Sequence, residues 1–163
     1  MTSKQGDISL LNHPIAQELL HSKIPARLAY IGTDGAPRAV PVWFHWNGQE
    51  IVIGSLPGIP KLKALRANPK VALTIDTEAF PAKTLMIRGT ATVEMVKEVP
   101  EYAAAATRYM GEEGAKAWMS QVGGLFAGMA RIVVQPEWVG LLDFETRFPN
   151  VIENAMAAAA APA

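Results

Sequence analysis

The chain has 163 residues, half of them hydrophobic and 18% charged, which is enough apolar material for one substantial core and too much for a disordered chain. Fifteen Lys and Arg balance fifteen Asp and Glu, so no overall positive field exists to hold nucleic acid by its phosphates. Cysteine is absent, which excludes disulfides, thiolate metal sites and a cysteine nucleophile. The opening MTSKQGDISLLNHP holds no apolar run of signal-peptide length, and no segment approaches a membrane span. The expectation is a soluble, cytoplasmic protein with no membrane partner.

Residues 12–22 read as a short helix, with Pro14 tolerated in its first turn and Ile15, Ala16, Leu19 and Leu20 on one apolar face. Residues 27–33 are a strand, followed by the hairpin signal Asp34-Gly35. Residues 37–46, PRAVPVWFHW, form the second strand. Pro41 has no N–H for a ladder, so it marks an edge, a bulge or an open site. Asn47-Gly48 makes the next tight turn, into a strand at 50–55. Two Xaa-Gly hairpins in succession predict an antiparallel meander.

Residues 54–71, GSLPGIPKLKALRANPKV, carry Lys61, Lys63, Arg66 and Lys70, with no carboxylate between Gly54 and Ile75. Pro60 suits the first position of a helix, because its missing N–H would have no partner there. Lys61 and Lys63 then fall in the first turn, where free N–H groups and the helix dipole already disfavour cations. A phosphate at this helix start would resolve the conflict, and Gly54 and Gly58 would allow close backbone approach. The alternative is a set of solvated lysines on a surface helix.

Asn68-Pro69 ends that helix. Residues 70–76 and 84–96 are further strands, and residues 98–123 are helical in composition, with breaks at Gly111 and Gly114. Residues 130–136 and 137–144 are the last two strands. Residues 1–150 form a single domain, and 151–163 are a low-complexity tail, frayed or weakly helical from Glu153. Six or seven antiparallel strands with flanking helices predict a mainly β protein, a closed or nearly closed barrel.

His13, His21 and His45 lack metal-ligand spacing, so no metal site is expected. Signatures of serine hydrolases, P-loop nucleotidases and Rossmann dinucleotide sites are also absent. No catalytic residue can be named.

The segments DGAPRAVPVWF, GS and GIPK ahead of LKALRANPKVAL, RGTATV, and PEWV with RFP occur in a characteristic order. In that order the chain resembles the pyridoxamine 5′-phosphate oxidase-like split-barrel family of flavin-binding proteins, including its flavin/deazaflavin oxidoreductase branch. The resemblance implies a homodimer that binds FMN at the dimer interface and moves a hydride to or from a small-molecule substrate. It puts the phosphate on Lys61, with Gly54, Ser55 and Lys63 beside it, and Pro60 where family members often carry an arginine. It lays the ring system along Val40, Pro41, Val42 and Trp43. Thr84, Trp138 and Arg147 would contact the ring, in part across the dimer; otherwise they are a strand former, a core or interface Trp and a solvated Arg. The family implies two alternatives on the same fold: a reductase using the deazaflavin coenzyme F-420, and a noncatalytic flavin- or tetrapyrrole-binding protein.

Overall fold

The computed structural model describes residues 4–160; the first three residues and the last three of the alanine-rich tail lie outside the described residues. Seven antiparallel strands form one sheet: β1 (Ala26–Ile31), β2 (Pro37–Val42), β3 (His45–Trp46), β4 (Ile51–Ser55), β5 (Lys70–Asp76), β6 (Thr84–Val96) and β7 (Met129–Leu142). The helices are α1 (Pro14–Leu20), α2 (Pro60–Ala67), α3 (Pro100–Met110), α4 (Glu112–Leu125) and α5 (Asn150–Ala160), with a 3-10 turn at Ile8–Asn12 before the first.

Alternation decides which face of each strand is inside. β5 buries Val71, Leu73 and Ile75, and the long β6 buries Leu85, Ile87 and Ala91. With Leu28, Phe44, Ile51, Ile53, Ile132 and Leu141 they form one continuous core.

The sheet order is β2-β1-β5-β6-β7-β4-β3, so the two hairpins lie at opposite edges of the sheet and do not form the meander expected from their sequence proximity. Within each hairpin the expectation holds: β1 pairs with β2 and β3 with β4. Only Trp43 and Phe44 separate β2 from β3, and so short a link reaches about 10 Å. The sheet must therefore curl until its edges approach. No ladder joins β2 to β3, so the barrel stays split, and residues 37–46 are two strands that bridge the split and not one. Pro41 sits on the edge strand, where a missing donor costs no ladder bond.

One other expectation changes and two are sharpened. Residues 130–136 and 137–144 are a single strand, β7, that runs through Pro136. The proline is tolerated because the register slips there: Arg88 faces Trp138 while Gly89 faces Pro136, leaving Glu137 as the extra residue of a bulge. The helical stretch after β6 breaks at Gly111, whose φ is 79°, whereas Gly114 lies inside α4. The tail forms α5, a helix with no buried residue.

Candidate functional site

β4 ends at Ser55, the chain turns through Gly58, and α2 starts at Pro60. Ile59 precedes the helix and offers no side-chain cap, and the first turn contains no acid. Lys61 is half-buried, and burial holds its ammonium pKa below the ordinary lysine value. Among the described residues no carboxylate forms an ion pair with it. Ser55 is 4% exposed, and its Oγ has no hydrogen-bond partner among the described residues. An uncapped helix start, a desolvated cation and a buried orphan hydroxyl thus meet at one turn. Each of the three is relieved by an anion carrying acceptor oxygens.

These groups open into a groove of about 280 Å³ that also takes in Pro41, Val42, Trp43 and Gly54. Six of the eleven sequence-proposed positions therefore converge there. Val40 instead packs against the core, and Lys63 is exposed on α2 outside the groove. Phe44 is fully buried and Trp43 only half-buried, so the two residues of the link between β2 and β3 differ in burial.

The remaining three positions lie elsewhere in the protomer. Gly54 pairs with Arg131 on β7, and Trp138 is seven residues further along that strand, or about 23 Å. Trp138 is half-buried, with the Arg88 guanidinium 4.1 Å above its ring. Thr84 opens β6 opposite Leu142. Arg147 is not a solvated charge: it is 5% exposed, and its Nε donates to the Leu141 carbonyl at 3.2 Å. Its backbone N–H donates to Asp143 Oδ1 at 2.7 Å. Burial raises the Asp143 pKa, but the Thr146 hydroxyl and the N–H groups of Glu145, Arg147 and Thr146 outweigh that and hold it well below the usual carboxylate range. Lys70 is exposed but not free, since its Nζ donates to Glu137 and Thr90.

Sequence reasoning missed one wall of the groove. Tyr102 and Trp118, from α3 and α4, line it, and Trp118 Nε1 donates to the Tyr102 hydroxyl at 2.8 Å. Tyr102 lies flush on β4: a Cβ at Gly54 would fall 2.6 Å from it. Gly54 therefore admits a side chain of the same protomer, where a cofactor phosphate had been expected. Trp43 stacks on Tyr109, with centroids 5.3 Å apart and planes at 12°. Arg108 donates to the carbonyls of Phe44 and Ser22, and the Tyr109 hydroxyl to that of Ile24, so α3 is clamped across the split. The spacing of Tyr102 and Tyr109, seven residues apart on one helical face, was the available signal. Trp118 lies past the helical break and gave none.

A family profile described as pyridoxamine 5′-phosphate oxidase matches residues 13–143, most of the chain. The chain belongs to the pyridoxamine 5′-phosphate oxidase family. The matched span runs from before α1 to the end of β7, so the groove lies wholly inside the family's domain and α5 outside it. No curated protein sequence matches significantly. Among solved structures, an F420 reductase is 24% identical, with a TM-score of 0.60 over 76% of this chain and 94% of that one. A conserved hypothetical protein from Mycobacterium tuberculosis is 20% identical, with a TM-score of 0.66 over 88% and 91%. The heme storage protein from Vibrio cholerae is 20% identical, with a TM-score of 0.58 over 80% and 93%. These likenesses establish the fold.

Among the described residues no three His, Cys, Asp or Glu side chains group as metal ligands, and no helix is long and apolar enough to cross a membrane.

Proposed function

We propose that the groove binds a flavin-type cofactor, FMN or the deazaflavin coenzyme F-420, by its phosphate, and that the protein is an oxidoreductase acting on a small molecule. The observation that carries this reading is the buried, unpartnered Ser55 Oγ beside a half-buried Lys61 with no counter-charge. Leaving a buried hydroxyl unpaired costs about 1–3 kcal/mol, and a phosphate oxygen removes that cost. When bound, such a cofactor supplies hydride transfer at its ring. Ser55, Lys61 and the N–H groups opening α2 hold the anionic end, while Pro41, Val42 and Trp43 border the apolar part of the groove.

The active unit in this reading is a homodimer. At about 280 Å³ the groove lies at the small end of the roughly 300–1,000 Å³ usual for small-molecule sites, and a second copy laid over it would deepen it. Ala29 and Ala39 are exposed and Ala72 and Thr74 half-buried on the outer side of β1, β2 and β5, a flat surface for such a partner. Thr84, Trp138 and Arg147 belong to the partner-facing end in this arrangement. A noncatalytic tetrapyrrole-binding role is the second reading, favoured by the likeness to the Vibrio cholerae heme storage protein.

Side-by-side titration with FMN and the deazaflavin coenzyme, followed by absorbance, tests the proposal. The expected result is saturable binding of one of them, weakened roughly ten- to hundredfold in Lys61→Ala. No uptake of either cofactor refutes it.

A further inference from the structure

Lys61 differs from every other lysine among the described residues. The others are exposed, apart from Lys83, which is half-buried and gives its Nζ to both carboxylate oxygens of Glu18. Lys61 is withdrawn from water into a groove whose lining holds no carboxylate, and among the described residues it forms no ion pair. Two effects act on its ammonium in the same direction: burial, and the positive end of α2, in whose first turn it stands. Both favour the neutral amine, which is a nucleophile. Ser55, 4% exposed, brings a hydroxyl with no partner among the described residues to the same groove, and α2 starts without a side-chain cap. An anion therefore finds a seat beside that amine.

We propose that Lys61, when no cofactor phosphate engages it, condenses with small aldehydes that carry an anionic group, forming an imine on its Nζ. This chemistry shares with cofactor binding only the anion seat at Ser55 and the opening of α2. With the anionic end held there, the carbonyl carbon lies in the same groove as the amine. The Nζ lone pair adds to that carbon, and the carbonyl oxygen becomes a hydroxyl by taking one amine proton. The carbinolamine then releases that oxygen as water with the second amine proton, and a C=N bond remains. No oxidant or reductant takes part. The arriving anion draws the amine back toward its ammonium, a loss that the gain from holding the two reactants together exceeds.

The test incubates the full chain with glyoxylate or with glycolaldehyde, an uncharged counterpart of nearly the same size. Cyanoborohydride is present to fix any imine, and the labelled lysines are read by peptide mass spectrometry. Exposed Lys63, on the same helix, is the internal standard, and accessibility alone would make it the faster of the two. With glyoxylate, Lys61 is expected to be labelled about tenfold faster than Lys63, and with glycolaldehyde that ratio should drop severalfold. Ser55→Ala, checked by its melting curve, should lower the ratio for glyoxylate and leave it unchanged for glycolaldehyde; the wild-type comparison stands without it. Lys61 labelled no faster than Lys63, or equal ratios for the two aldehydes, overturns the inference. Selective labelling in a protein that takes up neither FMN nor the deazaflavin coenzyme supports it and overturns the cofactor reading. Cofactor uptake without selective labelling does the reverse.

Discussion

At the β4–α2 turn Ser55 keeps a buried hydroxyl without a partner and Lys61 faces no carboxylate, whereas just beyond the end of β7 the buried Asp143 accepts four hydrogen bonds, two of them from Thr146. Both regions place polar groups out of water, and only one satisfies them. The Asp143 loop is self-sufficient: its carboxylate fastens the N–H groups of Glu145, Thr146 and Arg147, and Arg147 in turn reaches the Leu141 carbonyl. Of the two buried side-chain oxygens that lack a partner among the described residues, Ser55 Oγ belongs to a residue that lines the groove, whereas Glu101 Oε2 lies outside it on a carboxylate whose other oxygen accepts from Arg131. Polar groups that complete one another hold a fold together, and polar groups left incomplete at a concave surface point to a ligand.

The sharpest way to break the contrast is Asp143→Ala. It leaves three backbone donors and a hydroxyl without their acceptor and should cost roughly 3 kcal/mol in urea denaturation. The pH dependence follows from the same contacts. The folded pKa of Asp143 lies below its unfolded value, so its contribution is complete above about pH 4 and fades as the pH falls further. Asp143→Asn should flatten the acid side of the stability profile, and an unchanged acid limb would show that the loop is not held by this carboxylate.

Gly54→Ala comes next. A methyl group would fall 2.6 Å from the Tyr102 Cβ as well as from its ring, so α3 itself has to shift, which should cost about 2 kcal/mol. Combining it with Tyr102→Gly, which removes the Cβ as well as the ring, should return part of that loss, and strictly additive effects of the two changes would disprove the close contact.

Ser55→Ala separates the two regions by sign. Removing an orphan hydroxyl should leave stability unchanged or raise it by up to about 1 kcal/mol, while weakening FMN binding roughly tenfold. A stability loss like that of Asp143→Ala would mean that Ser55 is a structural group after all. The smallest effect is expected for Lys63→Ala. Its ammonium is exposed outside the groove, so FMN affinity should change by only about twofold, and that change should vanish in high salt.

Much of the groove was legible in advance because its residues are close in sequence or sit at marked positions. Gly54, Ser55 and Lys61 fall within eight residues, and the lysine in the first turn of a Pro-started helix already announced an electrostatic conflict. Pro41 announced an edge, a bulge or an open site, and the structure makes it an edge. Trp138 and Arg147 gave no such local signal, and their places depended on how far β7 runs and where its loop folds back. Pro136 looked like a strand end; the bulge opposite Gly89 absorbed it, and one strand took the place of two.

By itself the sequence determined most of the strand and helix positions, the hairpins at Asp34-Gly35 and Asn47-Gly48, the interrupted ladder at Pro41 and the electrostatic conflict in the turn before α2. Each of these rests on interactions within a few residues, where alternation, glycine φ values and missing donors act locally. Only the tertiary structure decided that the two hairpins stand at opposite edges, because that depends on a seven-strand ladder whose partners lie tens of residues apart. It alone also brought α3 and α4 over Gly54, setting Tyr102 and Trp118 against β4 from 48 and 64 positions away in the chain. Such contacts arise when a curled sheet leaves a split and an amphipathic hairpin fills it, and no local pattern encodes that closure.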